Sequence, residues 1–242
     1  DAEICGGTAL ADADAGFKTI AFKPVAESAT RVAMVQAGDA QVMWPIPTES
    51  VSVLESDPNV TAYRADGIVV RYLMMNTQKE PFNDVRVRQA MDYALNKEAY
   101  IQVVKNGLAV PATSVIGSAV QYYKGNEPRP YDLEKAKELL AEAGYPDGFT
   151  TTVMFANTTA NQKQAEFYKQ QLEQVGINLE LKGLESAVLN QRIQDVDVPG
   201  SEAEVDCYII GWSPSTGDAD WGIRPLLAIE SEPPMSYNIC YY

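Results

Sequence analysis

The stretch PFNDVRVRQAMDYALNKEAYIQVVKN, residues 81–106, decides how the rest of the chain is organised. Its apolar residues follow the i, i+4, i+7 and i+8 spacing of one helix face, at Val87, Met91, Ala94 and Leu95. Asn83 or Asp84 can cap the first turn, because a short polar side chain accepts a hydrogen bond from an unpaired backbone N–H. Asn106 before Gly107 is typical of a left-handed helix end. The stretch therefore predicts one continuous amphipathic helix that opens a compact lobe.

Strand-like and helix-like segments alternate around this helix. β-branched and aromatic runs predict strands at Phe17–Pro24, Ala40–Trp44, Val60–Arg64, Ile68–Met75, Phe149–Phe155, Ile177–Leu181 and Val205–Gly211. Helical periodicity predicts helices at residues 27–38, 48–55, 133–143, 161–175, 186–195 and 223–228. Residues 1–16 are small and acidic, as in a loop. The β–α–β–α order indicates an α/β fold with helices packed on a largely parallel sheet.

Composition excludes several classes of function. The chain has 242 residues, which suffice for one large domain or two small ones. Its net charge of −14 argues against binding to nucleic acid and against anchoring on anionic lipid, since both need clustered Lys and Arg. No run is as apolar as a membrane span, and no signal peptide is expected within these residues.

The residues that most often carry catalysis or metals are scarce. There is no histidine, which removes Ser–His–Asp and Cys–His triads and histidine metal sites. Three scattered cysteines are too few for a zinc site, so we expect neither a metal nor a cofactor. A Cys5–Cys240 disulfide and free thiols are the alternatives for that pair, whereas Cys207 lies in an apolar run typical of a buried thiol.

The loop GWSPSTGDADW, residues 211–221, is the most site-like segment. It follows an apolar strand, and in α/β sheets ligands lie at the carboxyl ends of strands. Two tryptophans provide contact area, and hydroxyl groups can orient a polar ligand. The alternative is a loop whose tryptophans fill the core and whose aspartates cap the next helix. For Asp218 and Asp220, helix capping is favoured over acid–base catalysis, because their i, i+2 spacing need not bring the two carboxylates together.

Two further patterns bear on metal and ligand binding. Residues 195–206 carry acids at the first, third and twelfth positions of a calcium-loop pattern and glycine at the sixth, but Pro199 occupies the fifth, so an acidic surface loop is favoured. Four arginines are candidates for binding a ligand carboxylate: Arg64, Arg71, Arg192 and Arg224. Arg71 stands out because it interrupts the apolar run IVVRYLMMN, where it either faces a ligand or lies on an edge strand facing water.

Six ordered segments resemble the extracytoplasmic solute-binding proteins of peptide-type ABC importers, the dipeptide, oligopeptide and nickel-binding family. They are AGD with WP at 37–45, YLMMNTQKEPFNDVRVRQAMDYALNKE at 72–98, NGLAVPAT at 106–113, YDLEKAKELLAEAGYPDGF at 131–149, QLEQVGINLEL at 171–181 and DCYIIGW at 206–212. GWSPSTGDADW, VVRYLMMNTQKEPF and the terminal PPMSYNICYY resemble the glutathione-binding members most. The ordered succession, rather than any one segment, makes the resemblance specific.

The resemblance implies an α/β fold, with a type II periplasmic-binding-protein-like lobe built on a mixed, mainly parallel sheet with flanking helices. It implies that residues 1–75 are part of lobe one and the approach to the hinge, and that residues 76–242 form lobe two. Hinge closure around the ligand would then precede docking on a membrane permease. The implied protein is a periplasmic monomer that binds a small peptide and no nucleic acid, and it is not an enzyme.

The resemblance also implies a set of ligand-binding residues. They are Trp212, Ser213, Ser215, Thr216 and Asp218 in the cleft, with Arg71 and Tyr72 near the hinge. Ser215 stands where dipeptide-binding members have an aspartate for the ligand amine, and residues 156–158 are Ala-Asn-Thr where they have a carboxylate-binding arginine. These departures favour glutathione, with Asp218 holding the ligand amine. Dipeptide, oligopeptide and nickel-chelate binders are the alternatives within the family. A hydrolase using Asp218 and Asp220, or a signalling or chaperone protein without a small ligand, lies outside it.

Overall fold

The computed structural model describes residues 19–25, 27–65, 67–194 and 196–242. The chain divides into two compact units at the boundary between Tyr63 and Arg64. The predicted N-terminal loop, the start of the predicted strand Phe17–Pro24, Cys5 and Asp195 fall outside the described residues.

The first unit contains two short helices, α1 (Ser28–Gln36) and α2 (Val51–Glu55). The side chain of Glu27 caps α1 and accepts a hydrogen bond from the Ala29 backbone N–H at 2.9 Å. A 3₁₀ turn, Thr48–Ser50, leads into α2, whose Leu54 is buried. Both helices occur where the periodicity predicted them.

The three predicted N-terminal strands are wrong for the residues that the structure describes. Ile20–Pro24, Ala40–Trp44 and Val60–Arg64 contain no strand there. Their large side chains are exposed, 75% for Phe22 and 88% for Trp44. A strand needs a neighbouring strand to pair its backbone groups, and an alternating pattern does not supply one.

The second unit is built on a four-stranded sheet. Its strands are β1 (Val70–Met75), β2 (Phe149–Ala156), β3 (Ile177–Leu184) and β4 (Cys207–Trp212). Their order in the sheet is β1-β4-β2-β3. β2 runs parallel to β3 and to β4, whereas β1 is antiparallel to β4. The mixed, mainly parallel α/β sheet is confirmed.

Six helices belong to this unit among its described residues. They are α3 (Val85–Ala94), α4 (Lys97–Lys105), α5 (Leu133–Glu142), α6 (Thr159–Glu173), α7 (Ser186–Ile193) and α8 (Ala219–Leu227). None of the helices in the described part of the chain is long and apolar enough to cross a membrane.

The prediction of one continuous helix over residues 81–106 is wrong, because the stretch forms both α3 and α4. Leu95 is extended, and the Asn96 side chain starts α4 by accepting a hydrogen bond from the Ala99 N–H at 2.8 Å. The predicted cap at Asp84 is confirmed, as is the left-handed end at Asn106, whose φ is +51°. The helical face is also confirmed, since Val87, Met91 and Ala94 are buried.

The sheet is covered on both faces. On one face α3, α5 and α6 pack against β2 and β4, and the core includes Phe82, Leu140 and Leu172. On the other face, Met74 of β1 packs against Leu226 of α8 and Cys240. Cys207 and Cys240 are buried free thiols, so Cys240 is not in a disulfide.

Two glycines provide a test of the packing at the start of β2. Gly148 has φ +78°, and a Cβ placed there would lie 2.1 Å from the Gly176 carbonyl oxygen. Gly144 has φ +92°, yet a Cβ there would meet nothing within 4 Å. We expect Gly144→Ala to lower the free energy of unfolding by about 1–2 kcal/mol, from backbone strain alone. Gly148→Ala should cost at least about twice as much, because a backbone segment must also move.

The measurement is urea denaturation followed by circular dichroism. Gly144→Ala is the matched control, since it shares the positive φ without the steric contact. An equal loss of stability in the two variants would contradict the close approach of Gly148 and Gly176.

Candidate ligand-binding site at the carboxyl edge of the sheet

β2 and β4 separate where they reach the carboxyl edge of the sheet. They pair only at Val153 with Cys207 and at Met154 with Tyr208. β2 continues beyond this pairing to Ala156, and β4 continues to Trp212. A crevice outside the carboxyl ends of parallel strands is where ligands bind in α/β sheets.

The side chain of Arg71 spans this separation. Arg71 lies opposite Gly211 in the register of β1 and β4. Its Nε and Nη2 donate to Oε1 of Gln164 at 3.1 and 2.9 Å, and Nη2 also donates to Oδ1 of Asn161. A Cβ at Gly211 would lie 2.7 Å from Arg71 Nη1, so the guanidinium passes directly over the glycine. The Asn161 Nδ2 in turn donates to the Ala156 carbonyl at 2.8 Å, which fixes the start of α6 to the end of β2.

Arg71 differs from the other candidate arginines in its partners. Arg192 pairs with Glu204 at 3.0 Å, and Arg224 pairs with Asp220 at 2.7 Å. Arg64 also interacts within the chain. Arg71 is partly buried and bonds to neutral amide oxygens; among the described residues no carboxylate pairs with it. Its positive charge therefore has no anionic partner in the described part of the chain, as expected of a residue that binds a ligand carboxylate.

Tyr72 faces the opposite side of the sheet from Arg71, because successive residues of a strand alternate. Its ring packs beside Met74 and its hydroxyl donates to the Val115 carbonyl. Burial raises the pKa of Tyr72 to about 12. The hydroxyl thus attaches the long loop after α4 to the first strand.

Trp212, the last residue of β4, is the centre of an aromatic cluster on the same side as Tyr72. The ring centroid of Tyr237 lies 4.8 Å from that of Trp212, and the centroid of Trp221 lies 6.4 Å away. Trp212 Nε1 donates to the Trp221 carbonyl at 3.2 Å. Tyr237 was not among the predicted site residues; its only sequence signal was its place in the terminal segment PPMSYNICYY.

The polar residues after Trp212 form the turn into α8. Ser213 is half-buried, whereas Ser215, Thr216 and Asp218 are exposed. The side chain of Asp218 caps α8 by accepting a hydrogen bond from the Asp220 N–H at 2.7 Å, which confirms the capping interpretation.

The second carboxylate of this turn is already engaged. Asp220 accepts hydrogen bonds from Arg224 at 2.7 and 3.0 Å, and these bonds hold the pKa of the Asp220 carboxyl below its usual value. A carboxyl that stays ionised is a poor general acid, so the arrangement suits capping rather than paired acid–base chemistry.

The calcium-like pattern at residues 195–206 forms no cluster among the described residues. Asp206 instead pairs with Lys79, whose ammonium also donates to the Ala203 carbonyl at 3.1 Å. Within the part of the chain that the structure describes, no group of three or more Cys, Asp or Glu side chains could hold a metal ion.

The structure places the predicted site residues at one edge of the sheet but on two faces. Arg71 lies on the α6 face, whereas Tyr72 and Trp212 lie on the α8 face. Sequence reasoning missed the partners of Arg71, although a signal existed. Asn161, Gln164 and Tyr168 share one helical face at i, i+3 and i+7 spacing, so the sequence places two amide side chains on that face beside a tyrosine. In the structure Gln164 is fully buried.

Comparison with known proteins gives one consistent result. The family described as bacterial extracellular solute-binding proteins, family 5 (middle) matches residues 12–230. The glutathione-binding protein GsiB of Escherichia coli (strain K12) is 41% identical over 226 residues, which are 93% of this chain and 44% of that protein. The chain therefore spans less than half the length of this curated relative.

Solved structures agree with the observed fold. The periplasmic binding protein DppA from Helicobacter pylori in complex with the peptide STSA matches 91% of this chain and 42% of its own, with TM-score 0.80 and 30% identity. HbpA2 from Haemophilus parasuis matches 91% of this chain and 43% of its own, with TM-score 0.75 and 28% identity. The α/β fold is that of a type II periplasmic binding protein.

The crossing of Arg71 over Gly211 predicts a strong coupling between the two positions. We expect Gly211→Ala to lower the free energy of unfolding by about 1–3 kcal/mol, because the new methyl group displaces the guanidinium from Gln164 and Asn161. In an Arg71→Ala background the same change should cost much less, since the three atoms nearest to that Cβ all belong to Arg71.

A double-mutant cycle measured by urea denaturation checks this coupling. Gly67→Ala is the control, because Gly67 has no positive φ and the nearest heavy atom to its Cβ, the Val69 backbone nitrogen, lies 3.9 Å away. Additive effects of Gly211→Ala and Arg71→Ala would show that the two residues do not touch.

Proposed function

The chain belongs to family 5 of the bacterial extracellular solute-binding proteins, and from this premise we propose that it captures a small peptide and delivers it to the membrane permease of an ABC importer. One observation of this structure carries the proposal. Arg71 is held by two amide side chains at the carboxyl edge of the sheet, with no carboxylate partner among the described residues. Its Nη1 donates to no described group, so it can give a ligand carboxylate a charge-assisted hydrogen bond, and every peptide with a free C-terminus offers a carboxylate.

We propose glutathione, or a similar γ-glutamyl peptide, as the ligand. The support is the 41% identity to a glutathione-binding protein over 93% of this chain. Glutathione has two carboxylates and one ammonium group. Arg71 would hold a carboxylate and Asp218 the ammonium, while Trp212, Ser213, Ser215 and Thr216 contact the peptide from the loop. Tyr72 would support this arrangement from the hinge side.

We propose further that residues 76–242 form lobe two of the binding fold and that residues 1–75 belong to lobe one and the approach to the hinge. The relatives are more than twice as long as this chain. We expect the second wall of the cleft to come from the part of the relatives' length that this chain does not span. Closure of the two lobes would trap the ligand and create the form that the permease recognises. The protein would act as a periplasmic monomer, without turnover and without a cofactor.

A second candidate within the family is a binder of ordinary dipeptides or oligopeptides. The DppA structure from Helicobacter pylori, which resembles this chain at 30% identity, contains the peptide STSA. A nickel-chelate binder is a further alternative. A thermal-shift panel of glutathione, dipeptides, tetrapeptides and nickel chelates on the protein expressed from its complete reading frame separates these alternatives. A hydrolase would consume its ligand, so recovery of the bound peptide unchanged argues against an enzyme.

The proposed role of Asp218 predicts a selective loss of affinity. In the protein expressed from its complete reading frame, Asp218→Asn should weaken glutathione binding by about tenfold to a hundredfold, because a charge-assisted hydrogen bond contributes about 1.5–3 kcal/mol. Asparagine still caps a helix, so the stability of α8 should not change. Isothermal titration calorimetry provides the measurement.

Asp220→Asn is the matched control for this prediction. It removes a carboxylate from the same turn, but one that already pairs with Arg224. We expect its affinity for glutathione to stay within about twofold of the wild type. The role assigned to Asp218 is wrong if both variants bind glutathione as tightly as the wild type.

A further inference from the structure

The C-terminal end of α4 lies beside the N-terminal end of α6, because the two helices run antiparallel. The Asn96 N–H, at the start of α4, donates to Oε1 of Gln171 near the end of α6 at 3.3 Å. Further along, the Tyr100 ring lies 5.5 Å from the ring of Phe167 and 5.8 Å from that of Tyr168. Lys105 follows about 7.5 Å beyond Tyr100 along the helix axis, at 1.5 Å per residue. This direction leads towards the first turns of α6, where Gln164 and Asn161 hold Arg71.

Lys105 is therefore a second cation at the same edge. Its ammonium lies 5.9 Å from the centroid of the Tyr100 ring, and the side chain is about half-buried. No carboxylate among the described residues pairs with Lys105. The described interaction of its ammonium is the one with the Tyr100 ring. Burial and, secondarily, the positive charge of Arg71 lower the pKa of Lys105. Two like charges thus act on each other where no described anion separates them, which is unfavourable for the unliganded protein.

Two hydrogen-bond donors in the same place have no partner among the residues that the structure describes. The Tyr100 hydroxyl is buried and has no hydrogen-bond partner among the described residues. The neighbouring Tyr168 hydroxyl accepts a hydrogen bond from Gln164 Nε2 at 2.8 Å. Arg71 uses Nε and Nη2 for the two amides, while Nη1 donates to no described group. A buried donor without a partner destabilises the unliganded protein, and a hydrogen bond to an anionic ligand removes that penalty.

We propose that Arg71, Lys105 and the Tyr100 hydroxyl form a carboxylate-binding subsite that makes the protein select net-anionic peptides over neutral peptides of the same length. The inference rests on the proposed peptide-binding function and adds the charge class of the ligand. A simple dipeptide is a zwitterion with no net charge, so one cation and one carboxylate of the protein suffice for it. Two cations that no carboxylate of the described residues neutralises call for one more negative charge on the ligand. Lys105 is then a specificity-determining residue.

The test uses the protein expressed from its complete reading frame and isothermal titration calorimetry at pH 7. The probes are glutathione, the acidic dipeptides Gly-Glu and γ-Glu-Gly, and the neutral dipeptides Gly-Gln and Gly-Leu. We expect the tightest acidic probe to bind about tenfold or more tightly than the neutral peptides. Lys105→Gln should remove this preference by weakening the acidic probes about tenfold, with neutral peptides changed less than about twofold. Tyr100→Phe should weaken the acidic probes severalfold.

Two variants control for charge and for folding. Lys137→Gln removes an exposed lysine of α5, which pairs only weakly with Glu134 at 3.4 Å, and should leave every affinity unchanged. Lys105→Arg keeps the charge and should retain the preference for acidic probes. Circular dichroism verifies that each variant is folded. If Lys105→Gln does not fold, Lys105→Arg supplies the comparison. Loss of the preference for acidic probes in a folded Lys105→Arg variant would count against the subsite.

The outcomes separate this inference from the choice of glutathione. If glutathione does not bind but an acidic dipeptide does, and Lys105→Gln removes the preference, the subsite stands and the glutathione proposal falls. Three results overturn the subsite: neutral peptides binding as tightly as acidic ones, an acidic preference that survives in Lys105→Gln, or no binding of any acidic probe.

Discussion

The hydrogen bonds from the Arg71 guanidinium to Gln164 and Asn161 are the interaction on which the second unit's candidate site depends. They join β1 to the start of α6 across Gly211 of β4, at the point where β2 and β4 have stopped pairing. A Cβ at Gly211 would lie 2.7 Å from Nη1, so the observed crossing depends on a residue without a side chain or on a shift of the Arg71 side chain. The same bonds hold the positive charge in a fixed position without neutralising it, since amide oxygens carry no net charge. A cation held in this way is preorganised for a ligand carboxylate.

This constraint also explains why the site is divided between two faces of the sheet. Neighbouring residues of β1 point to opposite sides, so Arg71 meets α6 while Tyr72 reaches the loop at Val115. Trp212 follows Gly211 on β4 and packs with Tyr237 on the Tyr72 side. A peptide lying across the carboxyl edge can contact cations on one side and aromatic rings on the other.

The sequence predicted those elements whose patterns are local, and it failed where partners come from elsewhere in the chain. All four strands of the sheet were found from their apolar runs, whereas Ala40–Trp44 and Val60–Arg64 had the same character but no neighbouring strand. The break at Asn96 was missed because an amphipathic period continues through it, although the asparagine cap was visible. Arg71 could be selected because it interrupts an apolar strand. Lys105 could not, since a lysine in the last turn of a helix is ordinary and only the antiparallel packing of α4 and α6 gives it a role.

The central claim is that Arg71 receives a ligand carboxylate at the carboxyl edge of the sheet. The most direct measurement is a crystal structure of the protein expressed from its complete reading frame, with the ligand that co-purifies with it. We expect electron density for a peptide whose carboxylate accepts a hydrogen bond from Arg71 Nη1, while Gln164 and Asn161 keep their bonds to Nε and Nη2. A ligand bound elsewhere, with Arg71 still bonded only to the two amides, would contradict the claim.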